Sequence, residues 1–269
     1  ERLMLKKFLS IAIISALSTL TMGSESQSLS NEKVTPIEKV ANEISVKFKT
    51  YFGGEIVNYV AEANLPNSYL VLLNDGTSLI YFKDTDYAVV GELYDLSNRE
   101  ESNEKLAVLM ADFNKGILEK VKDQGIEFPI KEGVKEIDTV YVFTDPTCGY
   151  CRKLNSERDK YSEKGIKLVY LPYSRSGENT LSYRELTDVW CSADKVAAMD
   201  LAKSDRAEEI KKLPGYKVTD ECKKAVEQGE KYGRALGVKG TPAMFSSKGN
   251  SFPGYIPPDQ LQSFLLEIK

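Results

Sequence analysis

Two cysteines separated by two residues, Cys148-Gly149-Tyr150-Cys151, are the residues of this chain best suited to chemistry. A β-branched and aromatic run over residues 139–143 predicts a buried strand before them, and residues 152–162 predict a helix after them. A sulfur at the start of a helix lies beside free backbone N–H groups and the positive end of the helix dipole, which favour thiolate over thiol. The second cysteine, one turn further, can close a disulfide with the first. The pattern therefore predicts thiol–disulfide exchange, in which one sulfur attacks and the other resolves.

The same C-x-x-C spacing is also half of a zinc site, which is the main alternative to redox chemistry. Zinc would need a second close pair of ligands or histidines, and the chain contains no histidine. Cys191 and Cys222 stand thirty-one residues apart and belong to no C-x-x-C pair. We therefore favour redox chemistry over metal binding and expect neither a metal ion nor a cofactor.

Cys191 and Cys222 have two interpretations. Cys191 follows Trp190 in an apolar segment, and Cys222 lies in a predicted helix rich in lysine and glutamate. In an exported protein the two would form one structural disulfide, worth roughly 3–4 kcal/mol in the chain-entropy model. The alternative is a pair of inert free thiols.

The composition excludes several classes of function. A hydrophobic fraction of 42% and a charged fraction of 28% over 269 residues are typical of a folded protein of one large or two small domains. A net charge of −4 gives no support for general nucleic-acid binding. The lack of histidine excludes His-based triads and imidazole acid–base chemistry.

The first residues have the pattern of an export signal. Lys6 and Lys7 precede an apolar stretch over residues 8–20, and small and polar residues follow up to Ser24. Thirteen residues interrupted by serines are fewer than the roughly 20 needed to span a bilayer. A short buried helix or a retained membrane anchor is the alternative. We expect a signal peptide over residues 1–24 and a mature protein in an oxidising compartment, where disulfides persist.

The mature chain begins with a small domain over residues 25–96. Residues 37–48 have apolar side chains at helical spacing up to Gly53-Gly54. Four β-like runs follow, at residues 56–60, 69–73, 77–82 and 87–94, with the hairpin signal Asn74-Asp75-Gly76 between the second and the third. About 70 residues are few for an independent core, and unpaired strand edges favour association with a second copy.

A helix is predicted between this domain and the rest of the chain, over residues 97–124. From Glu104 onward an apolar stripe along one face either packs on a domain or belongs to a free-standing connector. The catalytic domain, residues 125–269, follows a strand–helix pattern with further strands at residues 166–171, 243–245 and 251–255 and mostly helix over 178–236. A last helix opens at Pro257, with four side chains predicted to face inward: Leu261, Phe264, Leu265 and Ile268.

Thr241-Pro242 directly precedes the strand at 243–245. Proline is disfavoured inside a sheet except at an edge or in a special turn. An X-Pro bond at this place is a weak signal for a cis bond by itself, and a stronger one in combination with the strand–C-x-x-C–helix segment.

Taken together, these segments resemble the DsbC branch of periplasmic thiol–disulfide isomerases. The segments that carry the resemblance are FTDPTCGYCRKL, Val189-Trp190-Cys191, residues 236–242 (LGVKGTP), residues 253–258 (PGYIPP) and residues 91–95 (GELYD). The Gly-Tyr dipeptide between the cysteines favours this branch over its DsbG sister, where proline takes the first position.

The resemblance implies an α+β protein: a small N-terminal α+β dimerisation domain, a linker helix and a C-terminal thioredoxin-fold domain with a helical insertion. It implies a homodimer that isomerises and reduces incorrect disulfides of exported proteins in the periplasm, with chaperone activity and a membrane electron donor of the DsbD type. By the same resemblance, Cys148 is the nucleophile and Cys151 the resolving cysteine of a redox-active disulfide. Thr241 and Pro242 form a cis-proline loop, and Cys191–Cys222 is the structural disulfide.

Two positions depart from the family pattern. Arg152 stands where a histidine is familiar, which predicts a change in the pKa and reduction potential of the thiols. Position 142 is valine, so the buried carboxylate that thioredoxin uses is not available there, and proton transfer at Cys151 requires water or another group. A DsbG-like reductase, a DsbA-like thiol oxidase and a redox-independent holdase chaperone are the alternative functions.

Overall fold

The computed structural model describes residues 36–54, 56–63, 65–74, 77–90 and 99–268. The chain divides into two compact units, with the boundary between residues 96 and 97. The predicted signal peptide over 1–24, Asp75 and Gly76 of the predicted hairpin turn, and the 91–95 segment of the family resemblance lie outside the described residues.

The N-terminal unit packs one helix on a small antiparallel sheet. Helix α1 (Pro36–Phe52) is followed by strands in sequential order, β1 (Val57–Glu62), β2 (Ser68–Leu73), β3 (Ser78–Phe82) and β4 (Tyr87–Val89). Alternate residues of a strand face the same side of a sheet, so one face meets the apolar stripe of α1. The core consists of Ile44, Phe48, Val71, Leu79 and Tyr81. The predicted helix and the first three predicted strands are confirmed within one or two residues.

The first helix of the C-terminal unit packs against the rest of that unit. Helix α2 (Arg99–Leu118) buries Phe113 and Ile117, and Leu118 and Val121 join a core cluster of this unit. Asn114 Nδ2 donates to the carbonyl of Gly249 at 2.9 Å. For the end of α2, packing on a domain is therefore the correct alternative of the two weighed from its apolar stripe.

The close approach of α2 to the Gly249 backbone requires a glycine at position 249. Its φ is +89°, and a Cβ atom there would lie 1.9 Å from the carbonyl oxygen of Ala111 in α2. Only glycine combines this backbone conformation with so close an approach.

A five-stranded sheet in the order β5-β7-β6-β8-β9 forms the centre of the C-terminal unit. The central pair β6–β7 is parallel and the other pairs are antiparallel. The strands are β5 (Ile126–Phe128), β6 (Asp138–Thr144), β7 (Ile166–Pro172), β8 (Ala243–Ser246) and β9 (Ser251–Pro253). The helices are α3 (Gly149–Ser156), α4 (Arg158–Glu163), α5 (Leu181–Trp190), α6 (Lys195–Lys203), α7 (Asp220–Ala235) and α8 (Pro258–Glu267), with 3-10 turns at Lys122–Gln124 and Ala207–Lys212.

Three details differ from the sequence-based expectations. The helix predicted over 152–162 begins at Gly149 and is divided at Glu157, whose N–H bonds the Leu154 carbonyl in a tight turn. Strand β5 was not predicted, because three residues are too short for a periodic signal. The inward prediction for Phe264 is wrong: this side chain is 36% exposed and stacks on Phe252, because it lies at the margin of the stripe that buries Leu261.

Among the described residues, no helix is long and apolar enough to cross a membrane.

Candidate active site

Cys148 lies at the junction of β6 and α3. The strand ends at Thr144, the Cys148 N–H closes a turn on the Asp145 carbonyl at 3.2 Å, and Cys148 is the N-cap residue of α3. Its residue surface is only 3% exposed. Its preference for the thiolate is therefore set by the charges and hydrogen bonds around the sulfur.

The environment of Cys148 favours the thiolate and sets its pKa at about 5. The largest cause is a hydrogen bond from the Cys151 thiol, and burial opposes it. The Thr241 hydroxyl, the Cys151 backbone N–H and the positive charge of Arg175 lower the pKa further. When protonated, the Cys148 thiol donates to the Thr241 carbonyl at 3.1 Å.

Cys151 has the opposite preference. It is 1% exposed, and burial raises its pKa well above the usual range of a thiol. The hydrogen bond that it donates to the Cys148 sulfur acts in the same direction, because the proton is held between the two atoms. Both residues are free thiols here, so the structure holds the reduced form of the pair. At neutral pH the pair therefore combines a thiolate at Cys148 with a protonated thiol at Cys151.

The loop before β8 lies directly against the pair. The Thr241–Pro242 peptide bond is cis, and β8 pairs with β6 in a register that sets Ala243 opposite Phe143. This pairing brings the loop to the end of β6 where Cys148 lies. The structure thereby brings together four of the predicted site residues, although they are about ninety positions apart in the chain.

Asp145 organises the loop between the strand and Cys148, and the sequence analysis did not identify it. Its carboxylate accepts from the Thr147 N–H at 2.8 Å, from the Thr147 hydroxyl at 2.7 Å and from Arg175 Nε at 3.2 Å. Burial acts to raise the pKa of this carboxyl, but hydrogen bonds from the Thr147 hydroxyl and from the backbone N–H groups of Arg175 and Thr147 hold it below its usual value. Its place between the predicted strand and Cys148 is the feature of the sequence that could have identified it.

Arg152, the first residue after the cysteine pair, forms an ion pair beside the active-site loop. Its guanidinium forms a bidentate pair with Asp205 at 2.7 and 2.5 Å, and its Nε donates to the Pro146 carbonyl at 2.8 Å. Arg175 is an arginine whose positive charge favours the Cys148 thiolate. Arg152 instead ties the active-site loop to the turn after α6.

Lys203 is the second residue that the sequence analysis missed. It is the last residue of α6, is almost fully buried, and its Nζ donates to Thr144 Oγ1 at 2.7 Å and to the Asp145 carbonyl at 2.9 Å. Burial lowers the pKa of Lys203 to about 8. No local pattern marks this lysine, because its burial depends on the packing of α6 behind the site.

Cys191 and Cys222 are joined by a disulfide, with a Cα–Cα distance of 5.1 Å. It links the end of α5 to the first turn of α7 within the helical insertion. Because these two sulfurs are bonded to each other, they cannot serve as a second ligand pair for zinc beside Cys148 and Cys151.

The fold and the paired thiols define the class of the C-terminal unit: a thiol–disulfide oxidoreductase with a thioredoxin-like domain. Residues 130–269 match the family model described as a thioredoxin-like domain.

Comparison with known proteins narrows this class. The chain is 32% identical over 198 residues to the thiol:disulfide interchange protein DsbC of Escherichia coli strain K12, covering 73% of this chain and 76% of that protein. It is 28% identical over 234 residues to DsbC of Haemophilus influenzae, covering 87% of this chain and 94% of that protein. A solved linker-deletion mutant of Proteus mirabilis ScsC matches with a TM-score of 0.49 at 20% identity, covering 64% of this chain and 89% of that chain. The chain belongs to the DsbC family of thiol:disulfide interchange proteins.

Proposed function

We propose that this protein is a disulfide isomerase of the periplasm that rearranges and reduces incorrect disulfides in exported proteins. The observation that carries the proposal is the opposed chemistry of two adjacent sulfurs: the pKa of Cys148 is lowered to about 5, and that of Cys151 is raised. A thiolate at neutral pH attacks disulfides, and a protonated partner leaves the mixed disulfide time to exchange with another thiol of the substrate.

In the proposed mechanism the Cys148 thiolate attacks one sulfur of an incorrect substrate disulfide. A bond forms between Cys148 and that sulfur, and the other substrate sulfur leaves as a thiolate. A different substrate thiolate then attacks the mixed disulfide, so that Cys148 is regenerated and the substrate gains a new pairing without net oxidation. Alternatively Cys151 displaces the substrate, which is reduced by two electrons while Cys148 and Cys151 become a disulfide.

Isomerisation requires the reduced pair, because only a thiolate at Cys148 can begin the cycle. Each resolution by Cys151 oxidises the enzyme, and a dithiol donor must return two electrons. We therefore infer a membrane electron donor of the DsbD type as a partner.

The surface beside Cys148 supports a role in holding extended substrate. Proline has no backbone N–H, so Pro242 leaves the loop edge free of a competing donor, and the loop carbonyls can pair with an incoming strand. Tyr150, 64% exposed, stacks on Tyr255 at a centroid distance of 6.0 Å, and Lys153 Nζ lies 4.5 Å from the centre of the Tyr255 ring. This aromatic pair offers an apolar contact for residues that flank a substrate cysteine.

The N-terminal unit supports a homodimer with chaperone activity. Strand β4 pairs on one edge with β3, and the side chains of Tyr87 and Val89 are 71% and 52% exposed. An exposed edge strand with apolar side chains favours pairing with a second copy across a two-fold axis. Two Cys148 sites and two apolar surfaces in one dimer would bind a misfolded chain at more than one point.

Export to the periplasm is supported by two observations. The basic and apolar pattern over residues 1–24 is typical of a signal peptide. The Cys191–Cys222 disulfide persists in an oxidising compartment and is rare in a reducing one.

Refolding of a scrambled substrate with several disulfides, in a glutathione buffer, tests the proposal. The wild-type protein should restore substrate activity, and a Cys148→Ser, Cys151→Ser double variant should not. Suppression of aggregation of a cysteine-free substrate should be equal for both proteins, because chaperone action does not use the thiols. Equal refolding by both proteins would indicate a holdase, and accumulation of oxidised but still scrambled substrate would indicate a thiol oxidase.

A further inference from the structure

A buried base lies behind the resolving cysteine. Lys203 Nζ donates to Thr144 Oγ1 at 2.7 Å. The Thr144 side chain also lies near the sulfur of Cys151 and acts to lower the pKa of that thiol. The Thr144 hydroxyl therefore lies between Cys151 and the Lys203 amine.

The proposed mechanism requires a group that exchanges a proton with Cys151. Cys151 must lose a proton before it can attack, and it must regain one when the disulfide is reduced. Position 142, which lies on β6 two residues before Thr144, is valine and offers no carboxylate. A lysine amine accepts a proton once it is neutral, and a hydroxyl can pass a proton between a thiol and an amine because it both donates and accepts.

The other side of Lys203 reaches a polar cleft of about 320 Å³. Two side-chain atoms at this cleft, Asn155 Oδ1 and Arg158 Nη1, are buried and have no hydrogen-bond partner among the described residues. Buried polar atoms of this kind are normally satisfied by water, and liquid water occupies about 30 Å³ per molecule, so the cleft has room for several. Water in this cleft, which Lys203 lines, would give a proton on Lys203 a route to solvent.

We propose that Lys203, acting through the Thr144 hydroxyl, is the proton acceptor for Cys151 in the resolving step and the proton donor to it in the reverse step. The proposal rests on the roles of Cys148 and Cys151 given above. In the forward step the Cys151 proton passes to Thr144 while the Thr144 proton passes to the neutral Lys203 amine, which becomes an ammonium. The Cys151 sulfur bonds to Cys148, the bond from Cys148 to the substrate sulfur breaks, and the substrate leaves as a thiolate reduced by two electrons.

The charged surroundings make the lysine suitable for this role. Burial lowers the pKa of Lys203 to about 8, so a neutral amine is present near neutral pH. Ionisable groups surround Lys203 on every side. Cys148 and Cys151 lie on the thiol side and Asp145 in the loop, and the cleft is lined by Arg152, Arg158, Asp159 and Asp200. Glu185 of α5 lies within electrostatic reach of Asp145 and Arg152. Cys151, Asp145 and Cys148 raise the pKa of Lys203, and Arg152 lowers it.

A two-phase reaction with an aromatic disulfide, 5,5′-dithiobis(2-nitrobenzoate), tests the proposal in the full-length reduced protein. The first released thiol reports attack by Cys148, and the second reports resolution by Cys151. Lys203→Met should slow the second phase by about 10²-fold, the lower end for general acid–base catalysis, and leave the first nearly unchanged. In the wild-type protein the second phase should accelerate as pH rises through about 8, and this inflection should disappear in Lys203→Met.

Matched variants separate proton transfer from charge and from folding. Lys203→Arg keeps the positive charge but cannot release its proton, so its second phase should stay slow. Thr144→Val should slow the second phase and Thr144→Ser should not, which decides the matter even if the Lys203 variants do not fold. Lys195→Met, an exposed change on the same helix, should leave both phases unchanged.

A fast second phase in Lys203→Arg or in Thr144→Val, or an inflection retained in Lys203→Met, would overturn the relay. A missing first phase in the wild-type protein, or first labelling of Cys151, would instead contradict the proposed roles of the two cysteines.

Discussion

The two units of this chain differ in what they bury and what they leave at the surface. The C-terminal unit buries a central strand pair, the thiols of Cys148 and Cys151, and Lys203, and the pKa values of these three side chains are strongly shifted. The N-terminal unit contains no cysteine, has a small core centred on five buried apolar residues, and leaves Tyr87, Val89 and Val90 exposed. Reactivity requires a rigid interior that changes proton affinity, whereas association requires apolar groups that remain in water. In the proposed function, the C-terminal unit meets the first requirement and the N-terminal unit the second.

Truncation is the strongest test of this separation. A chain beginning at Ser97 keeps α2 and should be a folded monomer that still reduces simple disulfides. Its isomerase activity should fall by about tenfold or more, because a monomer cannot bind one substrate at two sites. Sedimentation and scrambled-substrate refolding are the measurements. A full-length protein that is a monomer, or a truncated chain with undiminished isomerase activity, would contradict the proposal that the N-terminal unit serves dimerisation.

A shorter chain beginning at Asp123 is the matched comparison. It lacks Leu118 and Val121, each of which contributes about 1.5–3 kcal/mol when fully buried. It should therefore unfold at a lower denaturant concentration than the chain from Ser97. Equal stability of the two chains would show that α2 does not belong energetically to the C-terminal unit.

Removal of the Cys191–Cys222 disulfide tests how much it contributes to the stability of the C-terminal unit. A Cys191→Ser, Cys222→Ser double variant should lose about 3–4 kcal/mol of unfolding free energy, from the entropy of the unfolded loop. The rate of attack by Cys148 should change little, because the disulfide lies in the helical insertion rather than beside the pair. Denaturant unfolding and alkylation kinetics on the same samples give both numbers. A large loss of Cys148 reactivity would link the insertion directly to the site.

Charge on the edge strand tests the N-terminal unit. Val89→Lys on β4 should weaken the dimer by about tenfold, because a lysine on an edge strand opposes pairing. Val46→Lys, a change at another exposed valine on α1, is the control and should leave the dissociation constant unchanged. Concentration-dependent sedimentation measures both. The opposite ranking of the two variants would move the dimer surface from β4 to α1.

The smallest predicted effect concerns the two arginines near the pair. Alkylation of Cys148 should rise with pH through a midpoint near 5 and then level off, because the thiolate predominates above its pKa. Arg175→Gln should move this midpoint upward by about half a pH unit, since a nearby cation favours the thiolate. Arg152→Gln should leave it in place, because that guanidinium is paired with Asp205. A larger shift in Arg152→Gln would reverse the assignment.

These pKa values also predict the pH dependence of stability. The pKa of Cys148 is depressed in the folded state, so its thiolate stabilises the reduced protein above the ordinary thiol pKa of about 8.5. This contribution should decrease as pH falls and be lost below about 5. The stability difference between reduced wild-type protein and Cys148→Ser, measured across this window, checks the sign.

Much of the architecture was predictable because it depends on local patterns. The stripe of α1 and the strands β1 to β3 follow from periods of 3.6 and 2, which are written in consecutive residues. The position of the Cys148–Cys151 pair between a strand and a helix follows from the same signals. Elements that are short or lie at the margin of a stripe, such as β5 and Phe264, were missed or misassigned, because three residues or one side chain carry no period.

By itself the sequence determined the types and spacing of the reactive sulfurs and the order of the elements that hold them. Only the tertiary structure decided which distant groups surround those sulfurs. Arg175 follows β7 and Lys203 ends α6, and each reaches the site only because the sheet and the insertion pack around the β6–α3 junction. An ordinary solvated lysine is strongly basic, and the same residue becomes a proton acceptor near neutral pH only where burial removes its water. Burial is a property of the folded chain, and no pattern of neighbouring residues specifies it.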